Sequence, residues 1–180
     1  MTGTNTRIWV GNLGKYNEGI SHGAWIDLPF TEEEFYEFLK EKVGIGEKDE
    51  FGQPYEEWHI CDFESELDIK IAEYMSVEEL VKLSEQIEFI EYYGLDIDAI
   101  NAYMEENSND LDEAVGYIHD GRYLLLKGVD NYEDLGMYFF KEYGYEHEVS
   151  ERMQGYIDFE KFGERMADGV FTKYGYFENY

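Results

Sequence analysis

Apolar positions alternate at the start of this chain, recur at helical spacing through its middle, and return to strand-like runs at its end. Arg7–Leu13 reads as a strand with Ile8 and Val10 on one face, and Gly14–Gly19 as a turn. Gly23–Leu28 reads as the returning strand, stopped by Pro29. Thr31 and Glu34 have capping-box spacing, and Phe35, Phe38 and Leu39 form the buried stripe of the helix they start, which Gly44 ends. After a loop comes a third strand, Trp58–Asp62. Ser76 and Glu79 begin a longer helix, with Leu80, Leu83, Ile87 and Ile90 inward and Gly94 closing it. Asp96 and Asp110 can cap two further helices, one carrying Ile97, Ile100 and Met104, the other Leu111, Ala114, Val115 and Ile118. Tyr123–Leu126 reads as a strand, and Asn131–Tyr143 as a helix burying Leu135, Tyr138 and Phe139. Short helices follow near Arg152–Ile157 and Phe159–Met166, and the aromatic run Val170–Phe177 reads as strand. This order predicts an α+β protein, with small antiparallel sheets at both ends and a helical middle.

The charge sets this chain apart from an ordinary domain of the same pattern. Among 180 residues, 42 are Asp or Glu and 14 are Lys or Arg, a net charge of −28. Aromatic residues make up 18%, too many for a disordered acidic tail, so the chain folds despite its self-repulsion. Residues 1–61 hold 12 acids and 5 bases, 62–120 hold 18 and 2, and 121–180 hold 12 and 7. More than half of the net charge therefore lies in the middle third. Its acids fall off the apolar stripes and face solvent: Glu66, Asp68, Glu73, Glu78, Glu79, Glu85, Glu88, Glu91, Asp96, Asp98, Glu105, Glu106, Asp110, Asp112 and Glu113. An ordinary helix face mixes signs to gain i,i+4 pairs, and here only Lys70 and Lys82 are at hand. Duplex DNA carries one charge per ~1.7 Å of axis, so this net charge matches roughly 48 Å of duplex. The surface suits a basic partner, and it opposes binding to nucleic acid or an anionic membrane.

Other chemistries fit poorly. An EF-hand loop fails at Asp96, where Ile100 and Asn101 take its fifth and sixth positions, and at Asp130, where Leu135 takes the sixth. His59, Cys61 and Asp62 cluster in sequence, yet a structural zinc site needs a second ligand pair; Cys61 is expected buried and His59 on the opposite face. With so many carboxylates, no pair singles itself out for glycoside hydrolysis. Neither a phosphate-binding loop nor a nucleophile elbow occurs, so no enzyme and no cofactor is expected. A lone cysteine, no export segment and no apolar run of about 18 residues point to a cytoplasmic protein. Ala99–Ile118 resembles the helices of a ubiquitin-associated domain, which a short acidic hairpin explains equally well.

Several stretches resemble the ArdA antirestriction family: Ile8–Gly19 (IWVGNLGKYNEG), Gly23–Pro29 (GAWIDLP), Trp58–Glu64 (WHICDFE), Tyr132–Phe140 (YEDLGMYFF), Tyr156–Gly163 (YIDFEKFG) and Gly169–Phe171. The likeness spans nearly the whole chain and is most specific at its two ends. It implies an elongated homodimer, encoded by mobile elements, whose carboxylates imitate bent DNA and block type I restriction–modification enzymes. By the same resemblance each chain has three small modules in a row, here 1–61, 62–120 and 121–180, the last carrying the dimer contact. The family's antirestriction motif matches the helix around Leu135–Phe140, so Tyr132, Leu135, Tyr138 and Phe139 are its expected contact residues. Within that helix, Gly136 should cost about 1 kcal/mol relative to alanine. Composition alone would also admit an acidic adaptor or chaperone for another basic, nucleic-acid-binding protein.

Overall fold

In a computed structural model of the chain, which describes residues 3–180, the described residues form an α+β fold with a three-stranded antiparallel sheet toward each end. They gather into two compact units, Met1–Ile97 and Asp98–Tyr180.

In the first unit, β1 (Arg7–Asn12) is the central strand, and Ile8 and Val10 are completely buried. The expected turn after it is instead a short helix, α1 (Leu13–Asn17). Asn12 decides this: its side chain accepts the Lys15 N–H at 3.0 Å, capping the helix, and donates to the Val43 carbonyl at 3.1 Å. That local cap outweighs the flanking glycines. β2 (Gly23–Asp27) returns along one edge of β1. α2 (Glu32–Phe38) starts at the expected Thr31–Glu34 capping box and runs into a π-helical turn, Leu39–Val43, that ends on Gly44 at φ 76°. Phe35 is its anchor, stacked on Phe30 at 4.9 Å and edge-on to Trp58 at 5.2 Å, while Phe38 stays half-buried.

Along the other edge of β1 lies β3 (Trp58–Glu64), whose register slips by one residue. Trp9 pairs with Asp62 and Val10 with Ile60, leaving Cys61 as the extra residue of a β-bulge. The expectation for this strand, Cys61 buried and His59 on the opposite face, is overturned because residues two apart on a strand share a face: His59 is buried and Cys61 exposed. The two share a side, with Sγ 3.2 Å from His59 Nε2. Gly11 makes room for them, since a Cβ there would meet the sulfur at 2.9 Å. α3 (Val77–Tyr93) then follows the predicted script, from the Ser76–Glu79 capping box to Gly94, with Leu80, Leu83, Ile87 and Ile90 buried. Its C-terminal end is tied to the start of the chain, because Glu91 accepts the Thr4 N–H at 3.0 Å.

The second unit takes α4 (Ile97–Glu106) beyond its first residue, then α5 (Leu111–His119), capped by Asp110 as expected. β4 (Tyr123–Leu126) precedes α6 (Tyr132–Glu142), α7 (Tyr145–Glu148), α8 (Glu151–Gln154) and α9 (Phe159–Met166). The closing aromatic run is a hairpin rather than one strand: β5 (Val170–Thr172) turns through Lys173 and Tyr174 into β6 (Gly175–Asn179). Thr172 holds the turn, donating its hydroxyl to the Gly175 carbonyl at 2.9 Å. β6 lies between β4 and β5, and its Tyr176 packs with Leu126, Leu135 and Phe139 as the core.

α6 and α9 cross at two glycines. A Cβ on Gly136 would collide with the Phe159 carbonyl oxygen, and one on Gly163 with that of Tyr132. The glycine that looked costly inside a predicted helix is there because backbone meets backbone.

Candidate partner-binding surface

Negative charge is heavy on both units: the first holds 23 acids against 7 bases, the second 19 against 7. Of the fifteen acids expected on the surface, thirteen are exposed and two, Asp96 and Asp98, are half-buried. They do different work.

Several hold the fold. Glu79 closes its capping box by accepting from the Ser76 N–H at 2.7 Å and the Ser76 hydroxyl at 2.8 Å. The backbone bond, then the hydroxyl, hold that carboxyl below the usual range, so it stays ionised. Glu73 meets His59 Nδ1 at 3.1 Å, and Glu66 accepts from the Asn5 side chain. Glu91 makes the tie to Thr4. In the second unit Asp98 pairs with Lys127 at 2.7 Å, Asp110 caps α5, and Glu113 accepts from Tyr103 at 3.2 Å and Ser108 at 2.9 Å. Glu105 lies 3.5 Å from the Lys173 N–H; Glu106 and Asp112 are exposed, and Asp68 is exposed in the loop after β3.

Glu78, Glu85 and Glu88 are different. They sit on the exposed side of α3 with no hydrogen-bond or ion-pair partner among the described residues. α3 packs beside α2, and a cleft of about 690 Å³ between them is lined by Glu32, Glu78, Glu79, Val81, Lys82 and Glu85. An adjoining hollow of about 420 Å³ adds Glu34 and Glu88 over Pro29, Phe30 and Ser84. The packing of the two helices therefore brings six carboxylates to one cleft, opposite a single ammonium group. Glu34 accepts from the Thr31 N–H at 2.7 Å; this bond and the Thr31 hydroxyl hold its carboxyl low as well.

Glu32 and Glu34 belong to this surface although the middle third of the chain alone does not include them. The signal was available in the repeated pattern of a capping box followed by acids in the first turn, shared by α2 and α3. Of the expected dimer residues, Leu135 is fully buried and Phe139 nearly so, both inside the unit's own core. Tyr138 is half-buried and Tyr132 exposed.

The bulge at Cys61 gives a thiol beside an imidazole that is itself oriented by Glu73. Although Cys61 is exposed as a residue, partial desolvation of its sulfur, then the Glu73 carboxylate, push the thiol up from its ordinary value, away from the thiolate a nucleophile needs. Among the described residues no group of three or more His, Cys, Asp or Glu is placed to hold a metal ion. Nor, among them, is any helix long and apolar enough to cross a membrane.

Comparison with protein-family models matches residues 8–178 to the family described as antirestriction protein (ArdA). No curated protein matches the chain.

Proposed function

The chain belongs to the ArdA antirestriction family, and we propose that it acts as a DNA mimic, its carboxylates standing in for phosphates in the DNA-binding groove of a type I restriction–modification enzyme. The observation that carries this reading is the set of exposed carboxylates on α2 and α3, with three on α3 that make no bond among the described residues. At about 1.5 Å rise per residue, Glu85 and Glu88 stand roughly 4.5 Å apart along the helix axis. Phosphates of one DNA strand advance about 3.4 Å per residue, so a groove that grips phosphates meets charge at a comparable pitch. No base edges are present, so selectivity rests on shape and reach. Inhibition is stoichiometric and needs no cofactor. Encoded by a mobile element, the chain acts in the cytoplasm as a homodimer joined through the second unit, where Tyr132 and Tyr138 are, of the expected contact residues Tyr132, Leu135, Tyr138 and Phe139, the two not buried in the unit's own core.

Competition tests the reading. The purified chain should displace duplex DNA from a type I methyltransferase or restriction complex, and its affinity should fall steeply with salt. No displacement at any salt concentration would refute it.

A further inference from the structure

Ser84 is the one buried polar side-chain atom without a hydrogen-bond partner among the described residues. Its residue is only 2% exposed, and it lines the hollow between α2 and α3. Buried hydroxyls in folded proteins are nearly always satisfied, so an orphan one at the wall of a cavity calls for an occupant. The rest of the lining says what kind. Glu32, Glu85 and Glu88 supply negative charge at the rim, and Pro29, Phe30 and Val81 supply apolar walls. A strongly hydrated ammonium gains little from such walls. A guanidinium is planar, weakly hydrated, stacks on apolar and aromatic surfaces, and carries five donors in a fork.

We propose that this hollow is a socket for one arginine side chain of the protein partner, its guanidinium held by the Glu85 and Glu88 carboxylates and donating one N–H to Ser84 Oγ. The proposal rests on the DNA-mimic reading for the identity of the protein that brings the arginine. It goes further in giving the acidic surface one shaped recognition point rather than diffuse charge alone.

Titration of the ¹⁵N-labelled chain with hexa-arginine and with hexa-lysine tests it. Hexa-arginine should give saturable shifts centred on the Val81, Ser84 and Glu85 amides, and bind about tenfold more tightly than hexa-lysine. Ser84→Ala removes an unpartnered hydroxyl, so it should fold at least as stably as the parent while losing about tenfold in hexa-arginine affinity, the effect of one hydrogen bond to a charged donor. Its hexa-lysine affinity should not change. Equal binding of the two peptides, or shifts spread over the acidic surface without a maximum at Ser84, would overturn the socket. Assaying both proteins for DNA displacement separates the two ideas. A parent that displaces DNA, with Ser84→Ala equal to it in displacement and in peptide binding, sinks the socket and leaves the mimic. A parent that binds hexa-arginine at Ser84 but displaces no DNA sinks the mimic and leaves the socket.

Discussion

Replacing Gly163 with alanine should destabilise the second unit even though alanine is the better helix former. Propensity alone would favour the change by up to about 1 kcal/mol. The added Cβ, however, would run into the Tyr132 carbonyl oxygen and lie 2.9 Å from the Gly136 nitrogen. Both are backbone atoms of α6, so no side chain can swing aside; the helices themselves must part. A gap of 0.5–1 Å, roughly what relief of the clash requires, forfeits about a quarter to a half of the dispersion energy of each contact across it. Overpacking of this kind costs about 1–3 kcal/mol, and the backbone partners put it at the upper end. Set against the propensity gain, the net loss is about 2 kcal/mol. For a unit the size of Asp98–Tyr180 that lowers Tm by about 8–16 °C. Gly116→Ala on α5 is the internal control. Gly116 is exposed, helical and has nothing within 4 Å of an added Cβ, so the same substitution there should raise Tm. Melting curves followed by circular dichroism or calorimetry decide it. If Gly163→Ala melts at or above the parent, or Gly116→Ala falls as far, the backbone crossing of α6 and α9 is wrong.

Ser76→Ala should cost about 1 kcal/mol by removing the cap of α3. Because Glu79 is held below its ordinary 4.5, the bond it makes stabilises fully above that pH and fades as pH falls through the lower folded value; the mutant's deficit in melting temperature should shrink in the same window. Tyr176→Phe leaves the Asp168 and Gly169 N–H groups without the oxygen they reach at 2.8 and 2.7 Å, and urea unfolding should show a loss of about 1–3 kcal/mol. Cys61, the only thiol, should react sluggishly with a disulfide reagent near neutral pH; Glu73→Gln should move the rate profile to lower pH, and an unmoved profile would count against the carboxylate's role.

Local signals carried most of the fold. Capping boxes at Thr31 and Ser76, the Asp110 cap and the stop at Gly94 all stand where the pattern places them, because each is decided within four residues. Misreadings arose where the deciding partner is distant. Asn12 turns a glycine-flanked loop into a helix partly through a bond to Val43, thirty-one residues away. His59 and Cys61 stand two apart on β3 and so share a face; which of them is covered depends on distant partners, with Tyr16 and Tyr74 set against the His59 ring. The site divides along the same line. That acids on α3 face solvent follows from its apolar stripe, but the ties of Glu91 to Thr4, and of Glu73 before the helix to His59, depend on tertiary contacts. Glu32 joins Glu85 only because α2 packs beside α3.

How a chain with 28 excess negative charges stays folded follows from where its acids lie. Glu32, Glu33 and Glu34 open α2, Glu78 and Glu79 open α3, Asp112 and Glu113 open α5, and Glu133 and Asp134 open α6. At a helix N-terminus the unsatisfied N–H groups carry partial positive charge, which favours an anion by about 0.3–1 kcal/mol at low ionic strength. Nine of the 42 acids thus lie where a helix dipole favours them, beside others, such as Glu64, Glu47 and Asp98, that pair with arginine or lysine. Beyond the first turn that compensation ends. Glu85 and Glu88 lie well past the N-terminus of α3, and no basic residue stands in its last turn. Neutralising a first-turn acid should therefore weaken the fold as well as the complex. Glu85 and Glu88 make no bond among the described residues, so neutralising either should leave the melting temperature near the parent's while weakening the complex.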